Sequence, residues 1–430
     1  MPGSAELQRV SVCGLTAGGS GERNPVTDFG DHILKIQKQL AAILLLVMCL
    51  APGVAAQPAQ PAPTLFGKLF QKATDQNGYE ELVRAADLVT QIPGVDAALE
   101  PVSTLEAKRR VLGTSQAIRA LELMKQGLEK PVLSPREEIN ENTLLPEFGA
   151  FRKLGRLIAA REYVMFADGR IDSAMDTLHL GLLFAYRIQT DSLIAGLVGI
   201  AIDTLIVKQF SEHLDQLSVG QSQRLTTLMT QFMSADNPGA HVMLMEKTNV
   251  LKILEARRGL KDGAKNLIDM LEGSFEAGDD NGLGAIKGQI TADPQAFNGA
   301  LDGAEKRINV LYDQAIENLT LPAKKQKPLL KDESNDPGAV IFRAVSADPQ
   351  KVLDKYVTVR TRYRLLAIHG LIHRYKWEHG ALPGSLEVLK VPELLTDAIT
   401  ERKISYSVQK DRYELTSEDG PVSQIGTIKL

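Results

Sequence analysis

Two histidines on one predicted helix, His369 and His373, have the spacing most suggestive of chemistry. Imidazoles at positions i and i+4 lie on one helix face and can share a metal ion. Residue 370 is glycine, however, where the helix of a zinc protease carries its glutamate general base. His379 follows, but the sequence identifies no third ligand. We therefore predict that the pair are polar imidazoles on a partly exposed helix face, beside Tyr375 and Trp377, and not metal ligands.

Three further patterns could supply a nucleophile or a base. Ser407 and Lys410 match the Ser-x-x-Lys motif, but they fall in a predicted hairpin instead of at the start of a helix. The stretch 113–117 is not a nucleophile elbow, because a predicted helix precedes it where a strand is required. His179 lies among apolar residues of a predicted helix, which indicates a core position. The sequence thus predicts no catalytic residue, metal or cofactor, and it leaves open whether the chain is an enzyme.

Residues 272–293 are polar and rich in glycine, a composition found in loops that hold cations or phosphates. A calcium loop ending there would need an acidic residue at position 277, which is alanine. A phosphate-binding loop would continue into Gly-Lys-Ser or Gly-Lys-Thr, and this one does not. We predict a loop without a ligand.

Composition narrows the class of protein. Of 430 residues, 44% are hydrophobic and 24% charged, which is enough to bury a sizeable core. The formal net charge of −4 gives no electrostatic basis for binding nucleic acid. Aromatic residues make up only 5%, with a single tryptophan, so there are few rings on which sugars or bases could stack. We expect a globular protein that does not bind nucleic acid.

The N-terminus predicts an export leader over residues 1–56. Lys35 and Lys38 precede the uncharged apolar run 40–50, and small residues follow up to Ala56. A basic segment, a short apolar segment and small residues are what a signal peptidase recognises, and the run is too short to span a membrane. Cleavage near Ala56 would give a periplasmic or secreted protein; the alternative is an uncleaved membrane anchor. The only cysteines, Cys13 and Cys49, lie within this leader, so the mature chain would contain no thiol.

Helical periodicity dominates the chain after a proline-rich spacer at 57–64. It predicts a helical body over 65–321 and, from the Lys, Pro, Asp and Ser content, a linker over 322–345. Asp191 is a plausible N-cap, and the stretch from Leu193 to Val207, whose only charge is Asp203, predicts a central enclosed helix. The predicted helices cover 65–75, 79–91, 102–129, 147–168, 171–188, 192–216, 219–233, 240–259 and 294–319.

The C-terminal residues 346–430 predict a small module with both helix and strand. Asp348 and Pro349 suit the start of a helix that continues to His379 and stops at Gly380. The periodicity then changes to alternation over 404–408 and 412–417, separated by a turn, which indicates a β-hairpin. The predicted fold class is therefore mostly α: a multi-helix, hairpin-type body with an α+β module made of a long helix, a loop and a β-hairpin.

One segment of the body resembles a known repeat. The pattern Gly169-x-Ile-Asp-x-Ala174-Met-x-x-Leu178 is similar to the turn and second helix of a tetratricopeptide repeat. Gly169 can adopt the left-handed conformation that ends a helix. The resemblance implies a tight antiparallel helical hairpin at this point of the chain.

The C-terminal module has a second resemblance. Its pattern is similar to the corner between helix and loop in the major pseudopilins of type II secretion, and to the C-terminal part of large secreted helical proteins of bacteria. The residues that carry the likeness are Tyr375, Gly380, Leu382, Pro383, Leu386 and Leu389, with Asp397 and Tyr406 at later positions of the pseudopilin pattern. The leader has no pseudopilin processing signal. The resemblance implies a protein that works outside the cytoplasm.

Three functions fit these observations. The first is an exported, non-catalytic interaction or scaffold protein of the bacterial cell envelope with a protein partner. The second is a hydrolase whose site is assembled from residues far apart in sequence, because function need not show itself in contiguous motifs. The third is a subunit of a pilus-like or secretion assembly. In each, contact with a membrane would come only through an uncleaved leader.

Overall fold

The computed structural model describes residues 69–70, 76–136, 145–272, 283–321, 325–396, 403–410, 412–417 and 428–429. The predicted leader at 1–56, the spacer at 57–64, most of the first predicted helix and Asp397 lie outside these residues. The described part confirms the predicted fold class, since it is mostly helical with a small antiparallel sheet near the C-terminus.

Seven helices form the first half of the described chain. They are α1 (Gly78–Thr90), α2 (Val95–Ala98), α3 (Leu105–Leu112), α4 (Ser115–Leu128), α5 (Pro146–Ala167), α6 (Ile171–Arg187) and α7 (Leu193–Ser211). One 3-10 turn, Leu214–Gln216, follows α7.

The second half holds eight helices, a 3-10 turn and three strands. The helices are α8 (Val219–Ser234), α9 (Pro238–Glu255), α10 (Gly263–Glu272), α11 (Leu283–Ala292), α12 (Pro294–Asn318), α13 (Pro337–Val345), α14 (Pro349–His379) and α15 (Pro392–Leu395). The 3-10 turn is Leu386–Leu389, and the strands are β1 (Ile404–Gln409), β2 (Arg412–Ser417) and β3 (Ile428–Lys429).

Local chemistry explains where these elements begin and end. Gly169 and Gly380 adopt left-handed conformations, with φ of 68° and 72°, directly after α5 and at the end of α14. The predicted helix over 102–129 is two helices, because the Thr114 hydroxyl accepts a hydrogen bond from the Ala117 amide at 3.2 Å and starts α4 anew. Polar caps and left-handed glycines thus set the boundaries.

The predicted cap of α7 is wrong by one residue. Ser192 caps the helix, and its hydroxyl accepts from the Ala195 amide at 3.2 Å. Asp191 has a tertiary role: its carboxylate accepts a hydrogen bond from the Ser134 hydroxyl, and its backbone carbonyl accepts one from the Asn249 amide at 3.1 Å. Aspartate and serine can both cap a helix; here Asp191 is engaged by residues distant in sequence, and Ser192 forms the cap.

Helix α7 lies at the centre of the molecule, packed against α5, α6, α9 and α14. Two glycines permit the close approach: a Cβ at Gly155 would lie 2.9 Å from Ile202, and one at Gly181 would lie 2.6 Å from Ile206. In the described part of the chain, α7 is also the one helix long and apolar enough to cross a membrane. Because 61% of its apolar window is buried inside the protein, its composition is that of a core helix.

Two segments predicted to lack structure contain helices. Residues 337–345, within the predicted linker at 322–345, form α13, which packs on α12 and buries Val340 and Ile341. Asp336 caps this helix, and Arg307 donates to its carboxylate at 2.8 Å. Within the predicted loop, residues 283–292 form α11, and 273–282 lie outside the described residues. The polar residues that precede each helix, at 322–336 and 273–282, concealed these two short segments, whose apolar residues are buried.

The long helix α14 is confirmed with the bounds Pro349–His379 and runs along α8, to which it makes its most extensive contact. Gly370 brings the two backbones together, since a Cβ there would clash with the Ser222 carbonyl and the Thr226 hydroxyl. The predicted hairpin is also confirmed: β1 and β2 pair antiparallel, with Tyr406 opposite Leu415 and Val408 opposite Tyr413. The C-terminal elements are therefore packed against the helical body through the contact between α14 and α8.

Candidate functional site

A cleft lies where α14 faces α6, α7 and the corner between α8 and α9. Its cavity volume is about 40 Å³, room for a few atoms, whereas sites for whole small molecules measure several hundred Å³. Its walls combine aromatic rings with carboxyl, amide and guanidinium groups. The lining residues are Tyr186, Gln189, Ile200, Asp203, Phe232, Ala235, Asp236, Asn237, Pro238, Tyr356, Val359, Arg360 and Tyr363.

The α14 wall of the cleft follows from helical spacing. Tyr356 and Tyr363 are seven residues apart, so both lie on the same face of the helix. The ring of Tyr356 fits beside Gly239, where a Cβ would lie 2.8 Å from its ring carbons. Its hydroxyl donates to the Gln189 side-chain oxygen at 2.7 Å. A glycine at the start of α9 therefore makes room for this wall.

Asp203, the lone charge in the apolar stretch of α7, lies at the cleft with 4% of its surface exposed. The Tyr363 hydroxyl donates to its Oδ2. Its Oδ1 has no hydrogen-bond partner among the described residues. Burial raises the pKa of Asp203 to about 7, against the opposing effects of the Tyr363 hydrogen bond and the Arg362 charge. This carboxyl therefore changes its ionisation near neutral pH.

Aromatic rings stand at large angles around the cleft. Phe232 lies 5.9 Å from Tyr363 with an interplanar angle of 54°, and 6.5 Å from Tyr186 at 70°. The Tyr186 hydroxyl donates to the Asp236 backbone carbonyl at 3.1 Å. Burial, followed by the Asp236 charge, raises the pKa of Tyr186. The rings thus form inclined walls instead of a closed stack.

Two polar residues of the cleft are fixed by the corner between α8 and α9. Arg360 donates to the backbone carbonyl of Met233 at 2.9 Å, which directs its guanidinium toward the end of α8. The Asn237 side-chain oxygen caps α9 by accepting from the Gly239 amide at 2.9 Å. Its amide nitrogen is buried and has no acceptor within the described chain. Two residues that line the cleft thus each hold a buried polar atom without a partner among the described residues, Asp203 Oδ1 and Asn237 Nδ2.

The histidines with metal-like spacing are placed away from this cleft. His369 is fully buried, contrary to the predicted partly exposed face, and shares a hydrogen bond through Nδ1 with the Tyr413 hydroxyl. Burial, then the nearby His373, lowers the pKa of His369 to about 3, while the Leu214 backbone opposes the shift. His373 is half-buried, and its Nδ1 lies 3.0 Å from the Ser222 hydroxyl. Both imidazoles therefore connect helices and strand.

The remaining sequence candidates are dispersed. His379 is exposed and stacks on Tyr375 with ring centroids 4.0 Å apart. Ser407 and Lys410 lie exposed at the end of the hairpin, and residues 113–117 span the caps of α3 and α4. His179, predicted to be in the core, is exposed, with its ring edge-on to Phe232 at 6.2 Å. Across the described ranges, no three His, Cys, Asp or Glu side chains are grouped to hold a metal ion.

Sequence reasoning missed the cleft because its residues come from distant segments. Asp203 and Tyr363 are 160 residues apart. One signal was present: a single carboxyl in a helix that is otherwise apolar must find a buried partner or a ligand. Comparison with protein families, with curated proteins and with solved structures finds no match.

Proposed function

We propose that this chain is an exported, non-catalytic interaction protein of the bacterial cell envelope, and that the cleft between α14 and the α8–α9 corner receives an anchor residue of a protein partner. The observation that carries the proposal is the cleft itself: a cavity of about 40 Å³ walled by inclined aromatic rings. Small pockets that take one buried side chain are where partner binding concentrates its energy.

The predicted leader supports the location. Lys35, Lys38 and the apolar run 40–50 fit a cleaved signal sequence, and a chain without thiols after Ala56 suits an oxidising compartment. N-terminal sequencing of the protein recovered from a bacterial periplasm tests this part. A start at Gln57 is expected, and a chain retained whole in the cytoplasm would contradict export.

A rim variant tests the docking site. Ala235 is exposed at the cleft, so Ala235→Arg should obstruct the mouth without disturbing the core. The matched control is Val102→Arg, at a site 94% exposed elsewhere on the surface. Immobilised full-length protein and both variants would be incubated with solubilised envelope. We expect one reproducible protein partner bound by the parent and by Val102→Arg, and lost with Ala235→Arg. Equal capture by all three would refute docking at the cleft.

A hydrolase with a dispersed site is the second candidate, and one observation favours it. A carboxyl with a pKa of about 7 in a cleft, with a tyrosine hydroxyl beside it, is suited to general acid–base catalysis. Ester, phosphoester and peptide substrates would be screened at pH 7. Turnover that disappears in Asp203→Asn and persists in the surface control Val102→Arg would favour the hydrolase over the docking protein.

A further inference from the structure

We infer that the outer edge of β1 is a docking surface for an extended segment of a partner protein, which adds to the sheet as a further strand. The segment carries apolar residues beside Val408 and Tyr406 and acidic residues beside Lys410. This surface belongs to the C-terminal sheet and is separate from the cleft, so the inference goes beyond the docking proposed there.

The first argument is the position of β1 in the sheet. The strand order is β1-β2-β3, so β1 pairs with β2 on one side and forms an edge on the other. Thr396 pairs with Lys403, just before β1, and covers the start of this edge. Beyond that bridge, no strand among the described residues pairs with the edge. An uncovered edge presents backbone donors and acceptors with which another chain can pair.

The register shows which backbone groups face outward. Gln409 lies opposite Arg412 at the turn, and the residues that close such a turn are hydrogen-bonded to each other. Along antiparallel strands, hydrogen-bonded residues alternate with residues that are not hydrogen-bonded to the neighbouring strand. Ser407 therefore bonds to β2, whereas Tyr406 and Val408 direct their N–H and C=O groups to the edge. An added strand would bind these groups.

The edge is accessible and regular. The last three residues of β1, 407–409, are exposed, and 41% of the surface of Val408 is accessible. Proline and bulges, which block pairing at many edges, are absent from β1, since each residue of 404–409 has one partner on β2. The hydroxyl of Tyr406 donates to the Pro383 carbonyl at 2.9 Å and holds this side chain in place. The strand is therefore suited to accept a neighbour.

The inner face of β1 favours apolar residues in the partner. Tyr406 and Val408 point to the same face of the sheet as Tyr413 and Leu415, which are buried. Val408 lies opposite Tyr413 but remains partly exposed, since in the described sheet no strand lies on its other side. An apolar side chain of an added strand, placed beside Val408, would extend this apolar face.

Basic side chains lie at the turn that ends the edge. Lys410 and Arg412 are exposed, and no carboxylate among the described residues forms an ion pair with either. Glu414, the acidic residue of β2, has Lys429 of β3 opposite it. A strand with acidic residues next to the turn would therefore gain favourable charge pairs.

A second copy of this chain fits the edge less well. Two β1 strands paired antiparallel and centred on Ser407 would place Lys410 of each copy beside Lys403 of the other. The Lys403 side chain is 82% exposed, and its ion pair with Glu387 spans 3.7 Å, beyond hydrogen-bonding distance. The two lysines would therefore repel each other. The charges thus favour an acidic, extended segment of a partner protein.

Titration calorimetry with full-length protein and synthetic peptides tests the inference. The probe is acetyl-Asp-Glu-Val-Thr-Val-Thr-amide, whose order in an antiparallel strand puts the acidic residues beside the turn and the valines beside Val408 and Tyr406. Two further peptides carry one N-methyl group each. Methylation of the first valine removes an N–H that faces the edge, whereas methylation of the threonine after it alters an N–H that points away.

We expect the unmethylated peptide and the threonine-methylated peptide to bind alike. The valine-methylated peptide should bind about tenfold more weakly, because it loses a hydrogen bond and the methyl group contacts the edge. Equal binding by the two methylated peptides would overturn the inference, and so would the absence of binding by the unmethylated peptide at millimolar concentration. A peptide with two lysines in place of the acidic residues should bind more weakly, and equal binding would refute the acidic partner.

Protein variants locate the binding. Val408→Pro removes an N–H that faces the edge and leaves the hydrogen bonds between β1 and β2 in place, so the affinity should fall about tenfold. Val408→Thr keeps the N–H and should retain most of the affinity. Lys410→Gln should weaken binding several-fold, whereas Lys306→Gln, at an exposed position of α12, should leave it unchanged. Unchanged affinity in folded Val408→Pro would refute the assignment, and the methylated peptides decide the question if this variant does not fold.

Docking at the edge and docking at the cleft can fail independently. The sheet contacts α14 through Tyr413 and His369, outside the part of α14 that lines the cleft, so Ala235→Arg should leave the peptide affinity unchanged. Weaker peptide binding in Ala235→Arg would place the peptide in the cleft and overturn the inference. Light scattering tests the second copy: a dimer of the parent that dissociates in Val408→Pro would assign the edge to self-association and refute the partner segment.

Discussion

Helix α14 borders two polar centres, one closely packed and one beside a cavity. Around His369, the closed centre, the hydroxyl of Tyr413, the ring of His373 and the hydroxyl of Ser222 pack between α8, α14 and β2, and Nε2 of His369 is buried without a partner among the described residues. Around Asp203, the open centre, rings and amides surround a cavity, and a carboxylate oxygen lacks a partner among the described residues.

The two centres show that the type and spacing of residues do not by themselves determine their role, which depends on the groups packed around them. Histidines one turn apart suggest a metal site, yet here they hold helices and a strand together. The aspartate and tyrosine of the open centre are unremarkable in sequence, yet they border the cleft. Because each centre contains a buried polar atom without a partner among the described residues, His369 Nε2 and Asp203 Oδ1, the feature that distinguishes the open centre is its cavity.

Acid should damage the closed centre most. The pKa of His369 in the folded protein is about 3, below its ordinary 6.5, because burial penalises the charged ring. Its contribution to stability is therefore complete above pH 6.5 and is lost as the pH falls toward 3, by on the order of 4 kcal/mol. Urea unfolding of the protein and of His369→Gln at pH 7 and pH 3.5 measures this difference. Parallel pH profiles would show that the ring is not kept neutral.

Gly370→Ala should be the most damaging small change to the closed centre. The added Cβ clashes with the Ser222 carbonyl and the Thr226 hydroxyl, so α8 and α14 must separate. We expect a loss of about 3 kcal/mol in unfolding free energy. Gly299→Ala is the control: it lies exposed within α12, has open space at the Cβ, and should gain about 1 kcal/mol. Equal effects would contradict close packing at residue 370.

Asp203→Asn should change the pH dependence in the opposite direction from His369. The pKa of Asp203 is raised by burial to about 7, so its stabilising contribution is complete below about pH 4 and is lost as the pH rises through 7. The variant should therefore be more stable than the parent at pH 8, by about 2 kcal/mol, and similar to it at pH 4. This stability difference is smaller than the full pKa shift would give, because water in the cleft partly offsets the burial of the carboxylate. A pH-independent difference would exclude a buried titrating carboxyl.

Tyr413→Phe should cost about 1.5 kcal/mol, since Nδ1 of the buried His369 loses the hydroxyl to which it is hydrogen-bonded and water has no place to replace it. Chemical denaturation measures the loss. The expectation fails if the variant is as stable as the parent.

Tyr356→Phe, the equivalent change at the open centre, should cost only about 0.5 kcal/mol. The Gln189 oxygen that loses its donor borders the cleft, where water can take over the hydrogen bond. Comparing the two hydroxyl deletions under identical conditions sharpens the contrast. A larger loss for Tyr356→Phe would mean that water cannot reach the Gln189 oxygen, just as it cannot reach the closed centre.

Local signals in the sequence predicted much of the fold. The start of α14 at Pro349, its end at Gly380, the turn at Gly169 and the β-hairpin all depend on residues that are close in sequence. The cap of α7, the helix within 337–345 and the burial of His369 depend on distant partners. The cleft is the extreme case, because each wall comes from a different helix. Periodicity cannot supply such pairings.

The packing of α14 on α8 has a consequence for the order of folding. Ser222 and His373 meet across 151 residues of chain, so the α8 surface is covered only after nearly the whole protein has emerged. Until then α8 presents an uncovered apolar surface that can aggregate. A chain exported unfolded would need a chaperone that holds it until α14 packs on α8. Truncation before residue 349 would leave this apolar surface exposed and the chain prone to aggregation.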